Sequence, residues 1–252
     1  MRRLLRLTKR LIVDEPAPKD EIFIRHEAGS FRIALRRTAK ARRYTLRLRP
    51  STQDLVLTMP QRGSRKTAQD FAERHRDWIA EKMALLPQNI PFADGAVIPF
   101  RGLNHLIVHK HQLRGIVKAQ PESSELHVFG EAAHISRRIN DFLRREARKD
   151  LAAAVSRHSA SLNLSVRSIS LKDTRSRWGS CSSRGSLNFS WRLIFAPPHV
   201  LDYLAAHEVA HLKHMNHSEA FWAVTRQLCP NMDIAEHWLK QHGASLHLYG
   251  KD

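Results

Sequence analysis

The chain has 252 residues, 42% of them hydrophobic, and carries 42 Lys and Arg against 24 Asp and Glu, a net charge of +18. That length suits one large domain or two small ones with a buried core, and no apolar run approaches the ~20 residues that cross a bilayer, which excludes a helical membrane protein. Two cysteines, Cys181 and Cys229, could form one disulfide, but nothing in their spacing demands it. So few in so long a chain suit a reducing, cytoplasmic compartment.

The start, MRRLLRLTKRLIVDEP, is basic, and its cations interrupt the leucines. No continuous apolar core and no small-residue cleavage site follow, so a mobile or edge-packed terminus is expected rather than a signal peptide, with a basic targeting or surface helix left open. Residues 21–60 read as strands in EIFIRH, FRIALRR, YTLRLRP and DLVLTMP, with turns at Gly29-Ser30 and at residues 51–54. In YTLRLRP, Arg47 and Arg49 share the face opposite Leu46 and Leu48, which predicts a sheet with one wet, basic face.

A helix is predicted from Thr67 to Leu86, ended by Pro87, with Ala68, Phe71, Ala72, His75, Trp78, Ile79 and Met83 as its buried stripe. Strand patterns return over residues 96–130. Alternation puts His105, His109 and His111 on one side of a strand, a row read as solvated or facing nucleic acid, with a second metal site as the alternative. A long helix is predicted over residues 133–162. It buries Ile139, Phe142, Leu143, Ala147 and Leu151 and carries Arg137, Arg138, Arg144, Arg145, Arg148 and Lys149 elsewhere. Those cations are a solvated face or a landing strip for phosphates. The composition shift there sets the expected boundary between a β-rich part, 1–132, and a catalytic part, 133–252. No internal repeat is visible.

After further strand patterns in VRSISLKD and SLNFSWRLIFAP, Pro197-Pro198 open a helix expected to run from His199 to Lys213. It contains His207-Glu208-Val209-Ala210-His211. Histidines at i and i+4 lie one turn apart on one face and can reach a single tetrahedral metal, while the adjacent glutamate is placed to take a proton from water. This composition yields the bare pattern by chance about 0.1 times, and with a further histidine at a fixed distance about 0.006 times. His217, in a turn that Ser218 can close by capping a helix over Glu219–Leu228, is the expected third ligand. His214 competes, but it is rotated about 60° from His211. Three protein ligands leave a catalytic zinc its open position. One zinc per chain is expected, with Glu208 as general base and a protein or peptide as substrate. Cys181 as a fourth ligand, and Arg175 or Arg177 as oxyanion donor, stay open. So do two rivals: a nucleic-acid-associated protein with a non-proteolytic zinc site, and a zinc hydrolase of another substrate. The net charge admits non-specific nucleic acid as a further partner.

The segments HEVAHLKHMNHSEAFW and RWGSCSSRGSLNFSWRLIFAPP resemble the YgjP-like metallopeptidases, a family similar to SprT-like and Wss-type proteases. RRTAKARRYTLRLRP and DLVLTMP resemble it more loosely. The resemblance implies an α+β fold ending in a small zincin-like domain, in which the edge strand of a twisted sheet lies over the helix bearing the HExxH motif. It maps zinc onto His207, His211 and His217 and the base onto Glu208, and it suggests substrates bound to DNA. Trp178-Gly179 reads as an anchor at a tight turn, and the strand from Ser186 to Ile194 as the edge offered to an extended peptide.

Overall fold

The computed structural model describes residues 21–49, 53–86, 88–111 and 114–250. The readings of the basic N-terminal segment, of the turn at Ser51-Thr52 and of Pro87 lie outside them. The fold is α+β, as expected. No described helix is long and apolar enough to cross a membrane. Contacts divide the chain into two units, Met1–Leu86 and Pro87–Asp252. The composition shift expected to mark the boundary falls inside the second unit, because the helix that begins there packs on the strands before it.

In the first unit, β1 (Glu21–His26), β2 (Gly29–Thr38), β3 (Thr45–Arg49) and β4 (Asp54–Pro60) form a sheet of order β1-β2-β4-β3. Gly29 and Ser30 begin β2, so the hairpin turn lies two residues earlier, at Glu27-Ala28. Period-two alternation buries Ile22, Ile24, Ile33, Leu55, Leu57 and Met59 on one face. Helices α1 (Arg65–Arg74) and α2 (Arg76–Ala84) cover that face through Ala68, Ala72 and Ile79. The single helix expected here is broken at His75, whose backbone (φ −108°, ψ 13°) leaves the helical region while its Nδ1 donates to Phe71 O at 2.8 Å. The restart rotates Trp78 off the buried stripe, and it is 38% exposed rather than core.

The second unit opens with β5 (Val97–Phe100), β6 (Leu103–Lys110), β7 (Lys118–Gln120) and β8 (Glu125–Phe129), in the order β5-β6-β8-β7. This is the topology of the first sheet again: an antiparallel hairpin, a parallel pair, then an antiparallel edge. Setting Gly29 on Leu103 places Ile33 on Ile107, and their parallel partners Leu55 and Leu126 correspond. The fold therefore contains a repeat that the sequence hides. His105 shares the core face with Ile107. It is 6% exposed, its Nδ1 donates to Leu103 O at 2.9 Å, and Phe100 packs edge-on at 5.5 Å. His109 Nε2 donates to Gly130 O at 2.6 Å. His105 and His109 are thus part of the packing, and of the expected solvated row His111 alone is exposed.

Helix α3 (Ile135–Ser161) follows a 3-10 turn at Ala132–His134 and buries the predicted stripe. Each such aliphatic side chain contributes about 1.5–3 kcal/mol. The third sheet, of order β10-β11-β9, comprises β9 (Ser168–Lys172), β10 (Gly179–Cys181) and β11 (Ser186–Ser190). β11 lies between β10 and β9 and has no free edge, so the edge strands are β10 and β9, of which β10 packs on the helix Pro198–Ala210. The strand expected to reach Ile194 stops at Ser190, and Trp191–Phe195 form a buried 3-10 turn. Helices α4 (Pro198–Ala210), α5 (Glu219–Leu228) and α6 (Met232–His242) complete the unit.

Candidate metal centre

α4 starts where proline tolerates it, with Pro198 in the first turn. It is buried nearly all round by Val200, Leu201, Leu204, Ala205, Val209 and Ala210, so the apolar surroundings fix its rotation. His207 and His211 project from one face with ring centroids 5.0 Å apart. The helix ends at Ala210, earlier than expected, and His211 is its C-cap. The chain then turns, and Ser218 starts α5 by accepting from Phe221 N at 3.4 Å. This return brings His217 to the helix. Its ring lies 5.2 Å from His207 and 4.8 Å from His211, and the two Nε2 atoms of His217 and His207 face each other at 3.3 Å. Ligand atoms of His207, His211 and His217 all lie within 4.8 Å of one another. Among the described residues, no other such group of histidine, cysteine or carboxylate side chains occurs.

The donor chemistry fits a metal. Burial, helped by the two neighbouring imidazoles, pushes His207 down to about 4 and lowers His211. At neutral pH both are neutral, the state that ligates a cation. His211 Nδ1 donates to the carbonyl of His214 at 3.1 Å, which leaves its Nε2 lone pair for the cluster. His214 thus contributes its carbonyl while its ring lies outside the group. Three convergent imidazole nitrogens are a donor set that suits an open zinc site. Phe221 lies against all three rings at 4.9, 4.4 and 4.8 Å, and Trp222 against His207 and His217 at 5.8 and 5.6 Å.

Glu208 is 4% exposed, and its Oε2 is buried with no hydrogen-bond partner. Burial pushes its carboxyl up to about 7 against the pull of the Arg177 charge. β10 passes directly over it. A Cβ at Gly179 would sit 2.8 Å from Glu208 Cγ and Cδ, so only glycine allows this approach. Cys181 lies nearby, but burial and the Glu208 charge push its thiol to about 11 and its Sγ donates to Ser182 O at 3.4 Å, outside the histidine group. Cys181 and Cys229 are both free and half-buried.

A cleft of about 370 Å³ opens here, lined by Arg177, Gly179, Tyr203, His207, Glu208 and Glu236 among others. Arg175 does not line it. Trp178 is the anchor expected, stacked on His247 at 5.1 Å and packed on Gly243. Sequence reasoning missed Phe221, Trp222, Tyr203, Glu236 and the role of Gly179. A glycine inside a strand signals close approach, and that signal could have found Gly179. Glu236 comes from α6, at no fixed spacing from the histidines.

Among solved structures, the chain is similar to the metallopeptidase zymogen abylysin of Pyrococcus abyssi (15% identity, TM-score 0.33, 36% of this chain and 93% of that one). It is also similar to the metallopeptidase zymogen jannalysin of Methanocaldococcus jannaschii (25% identity, TM-score 0.33, 36% and 88%). No curated protein matches it. The profile of the YgjP-like metallopeptidase domain matches residues 44–242, well over half of the sequence and both motif segments, and the chain belongs to the YgjP-like metallopeptidase family.

Proposed function

We propose that this metallopeptidase hydrolyses peptide bonds with one zinc per chain held by His207, His211 and His217 and with Glu208 as general base. The observation that carries the reading is the convergence of three imidazoles beside a buried carboxylate whose Oε2 has no partner. When bound, zinc supplies Lewis acidity to water and to the scissile carbonyl. Glu208 accepts the proton of the attacking water at its unpartnered Oε2 and returns it to the leaving amine. The ion's positive charge favours the carboxylate form of Glu208, the form that can accept. Phe221 packs on all three imidazoles and Trp222 on those of His207 and His217, which holds the rings in place. Arg177, on the cleft, is the donor assigned to the developing oxyanion.

An extended peptide would pair with the outer edge of β10, which β11 leaves free, and so lie along the cleft without its sequence being read. The rival zinc hydrolase of another substrate shares this centre, but the free strand edge favours a peptide. The narrower reading, cleavage of proteins bound to DNA in a cytoplasmic setting, rests on the +18 charge and on the resemblance to SprT-like and Wss-type proteases. The test is zinc analysis and casein cleavage, with and without DNA, on the wild type and Glu208→Gln. The variant should keep its zinc and lose turnover. Near-normal turnover in it would remove Glu208 from the mechanism, and a rate indifferent to DNA would remove the narrower reading.

A further inference from the structure

The positive charge is unevenly committed. Arginines on α3, the face the sequence offers to phosphates, are largely tied into the fold. Arg144 donates to Asn140 Oδ1 at 2.7 Å and lies over Trp191 at 5.1 Å. Arg138 donates to Gly115 O at 3.2 Å and Arg148 to Ile169 O at 3.2 Å. Arg137 and Arg145 face Asp141 and Glu146 at 3.7 and 3.8 Å.

The sheet of the first unit differs. Its register sets Arg36, Thr58 and Thr45 in one cross-strand row, with Arg47 in the next, on the face opposite the core. The β2–β3 connection adds Lys40, Arg42 and Arg43. Together these cations line a concavity of about 650 Å³ that no acidic side chain enters. Among the described residues, none of the five forms an ion pair. Five like charges around one hollow repel one another unless an anion with several charges occupies it. Beside it, sharing Arg43 and Thr45, is a recess of about 350 Å³ lined by Tyr44, Phe71, His75 and Trp78. Tyr44 stacks on Phe71 at 6.1 Å, and Phe71 on His75 at 4.4 Å. The break at His75 turns Trp78, which helical spacing would bury, toward solvent.

A cationic groove that tracks a backbone, next to aromatic rings open to a flat partner, is how unpaired nucleotides are held without regard to sequence. A duplex hides its base faces and would use only the cations. An anionic bilayer is flat and would not reach into a hollow. We propose that single-stranded nucleic acid binds this surface, its phosphodiesters in the basic concavity and a base stacked in the recess beside Trp78. The site lies wholly in the first unit and does not depend on the zinc reading.

The test uses the full-length protein and fluorescence anisotropy of a labelled oligothymidylate of about 12 nucleotides, with the matching duplex and phosphatidylserine vesicles as separate arms. The single strand should bind best, with a log–log salt slope of about −0.7 per phosphate contacted. R42Q/R43Q/R47Q, all exposed positions, should flatten the slope by about 2 and weaken binding at low salt at least tenfold. Trp78→Ala should weaken binding about tenfold at unchanged slope, and Trp78→Phe should restore most of it. Exchanging Arg137 and Arg145 for Gln should change neither. Circular dichroism and melting temperature would separate any loss of binding from a loss of fold. The proposal is overturned by no binding at low salt or by a triple variant that binds like the wild type. It is equally overturned if duplex binds as tightly and Trp78→Ala is silent, or if vesicles bind and oligonucleotides do not.

Discussion

Gly179→Ala is the sharpest probe of how the fold positions Glu208, given the general-base reading. The added methyl would lie 2.8 Å from Glu208 Cγ and Cδ, closer than real side-chain contacts come. Glu208 is 4% exposed, so its tip has little solvent to swing into, and either the side chain or β10 must shift. Overpacking of this kind costs about 1–3 kcal/mol, and in a unit of this size each kcal/mol lowers Tm by about 2–4 °C. The protein should stay folded at assay temperature. A displacement on the order of 1 Å at a reacting group costs about 100-fold in rate, so kcat/KM on a peptide substrate should fall by about that factor. Zinc content should hold at one per chain, because the atoms nearest the added methyl all belong to Glu208 and none to the three histidines. The control is the same substitution in Glu208→Gln, where the residual rate should barely move because the group being displaced is already disabled. Gly179→Ala activity within about twofold of wild type, or an equal loss in both backgrounds, would show that β10 does not position the base.

His217→Ala should lose most of its zinc by metal analysis, whereas His214→Ala should keep it, because His214 serves His211 through its backbone carbonyl; equal losses would reject the choice of third ligand. Asp173→Asn should destabilise the second unit by about 3 kcal/mol, the low end for breaking a buried pair since the Asp173 side chain is 40% exposed. Its partner Arg192 is buried, donates to Asp173 at 2.6 and 3.1 Å, and binds the carbonyls of Leu246 and Tyr249. Burial raises the Asp173 pKa, but the Arg192 bonds and charge outweigh it, so the folded value is depressed below 3.8. A depressed carboxyl stabilises above its unfolded pKa. The Tm gap between wild type and variant should therefore persist from neutral pH to about pH 4 and close below it. A gap that grows on acidification would refute the pairing.

The candidate site was legible in proportion to how local it is. His207, Glu208 and His211 share one helix, where the spacing alone sets their mutual orientation. His217 was reachable because a short turn and the Ser218 cap leave the chain few ways to return. The parts supplied from a distance were not legible. β10 meets Glu208 through tertiary packing, and the order β10-β11-β9 cannot be inferred from strand patterns. An edge and a centre strand both alternate when half-buried, so Ser186–Ile194 reads as an edge although β11 is the centre strand. Glu236 reaches the cleft through the packing of α6, which no local pattern encodes.

The repeated sheet was hidden for a related reason. What the two copies share is Ile33 with Ile107, Leu55 with Leu126 and Leu57 with Val128, inward positions that any half-buried sheet fills with aliphatic residues. The pattern therefore announces a strand without announcing that it has occurred before. The outward positions could have marked the relation but have diverged in role. On the first sheet, Arg36 and Arg47 face a hollow without acids. On the second, the equivalent Lys110 and Lys118 flank β8, where Glu125 pairs with His127 at 2.6 Å and is held below the usual carboxylate range chiefly by that bond. The same frame thus neutralises its wet face in one copy and leaves it cationic in the other. Had the arginines of the first sheet served only solubility, acids interspersed among them would cost nothing and would relieve their repulsion. Their absence from that hollow, together with an aromatic side chain turned outward by a helix break, is what a ligand of opposite charge with flat rings would require.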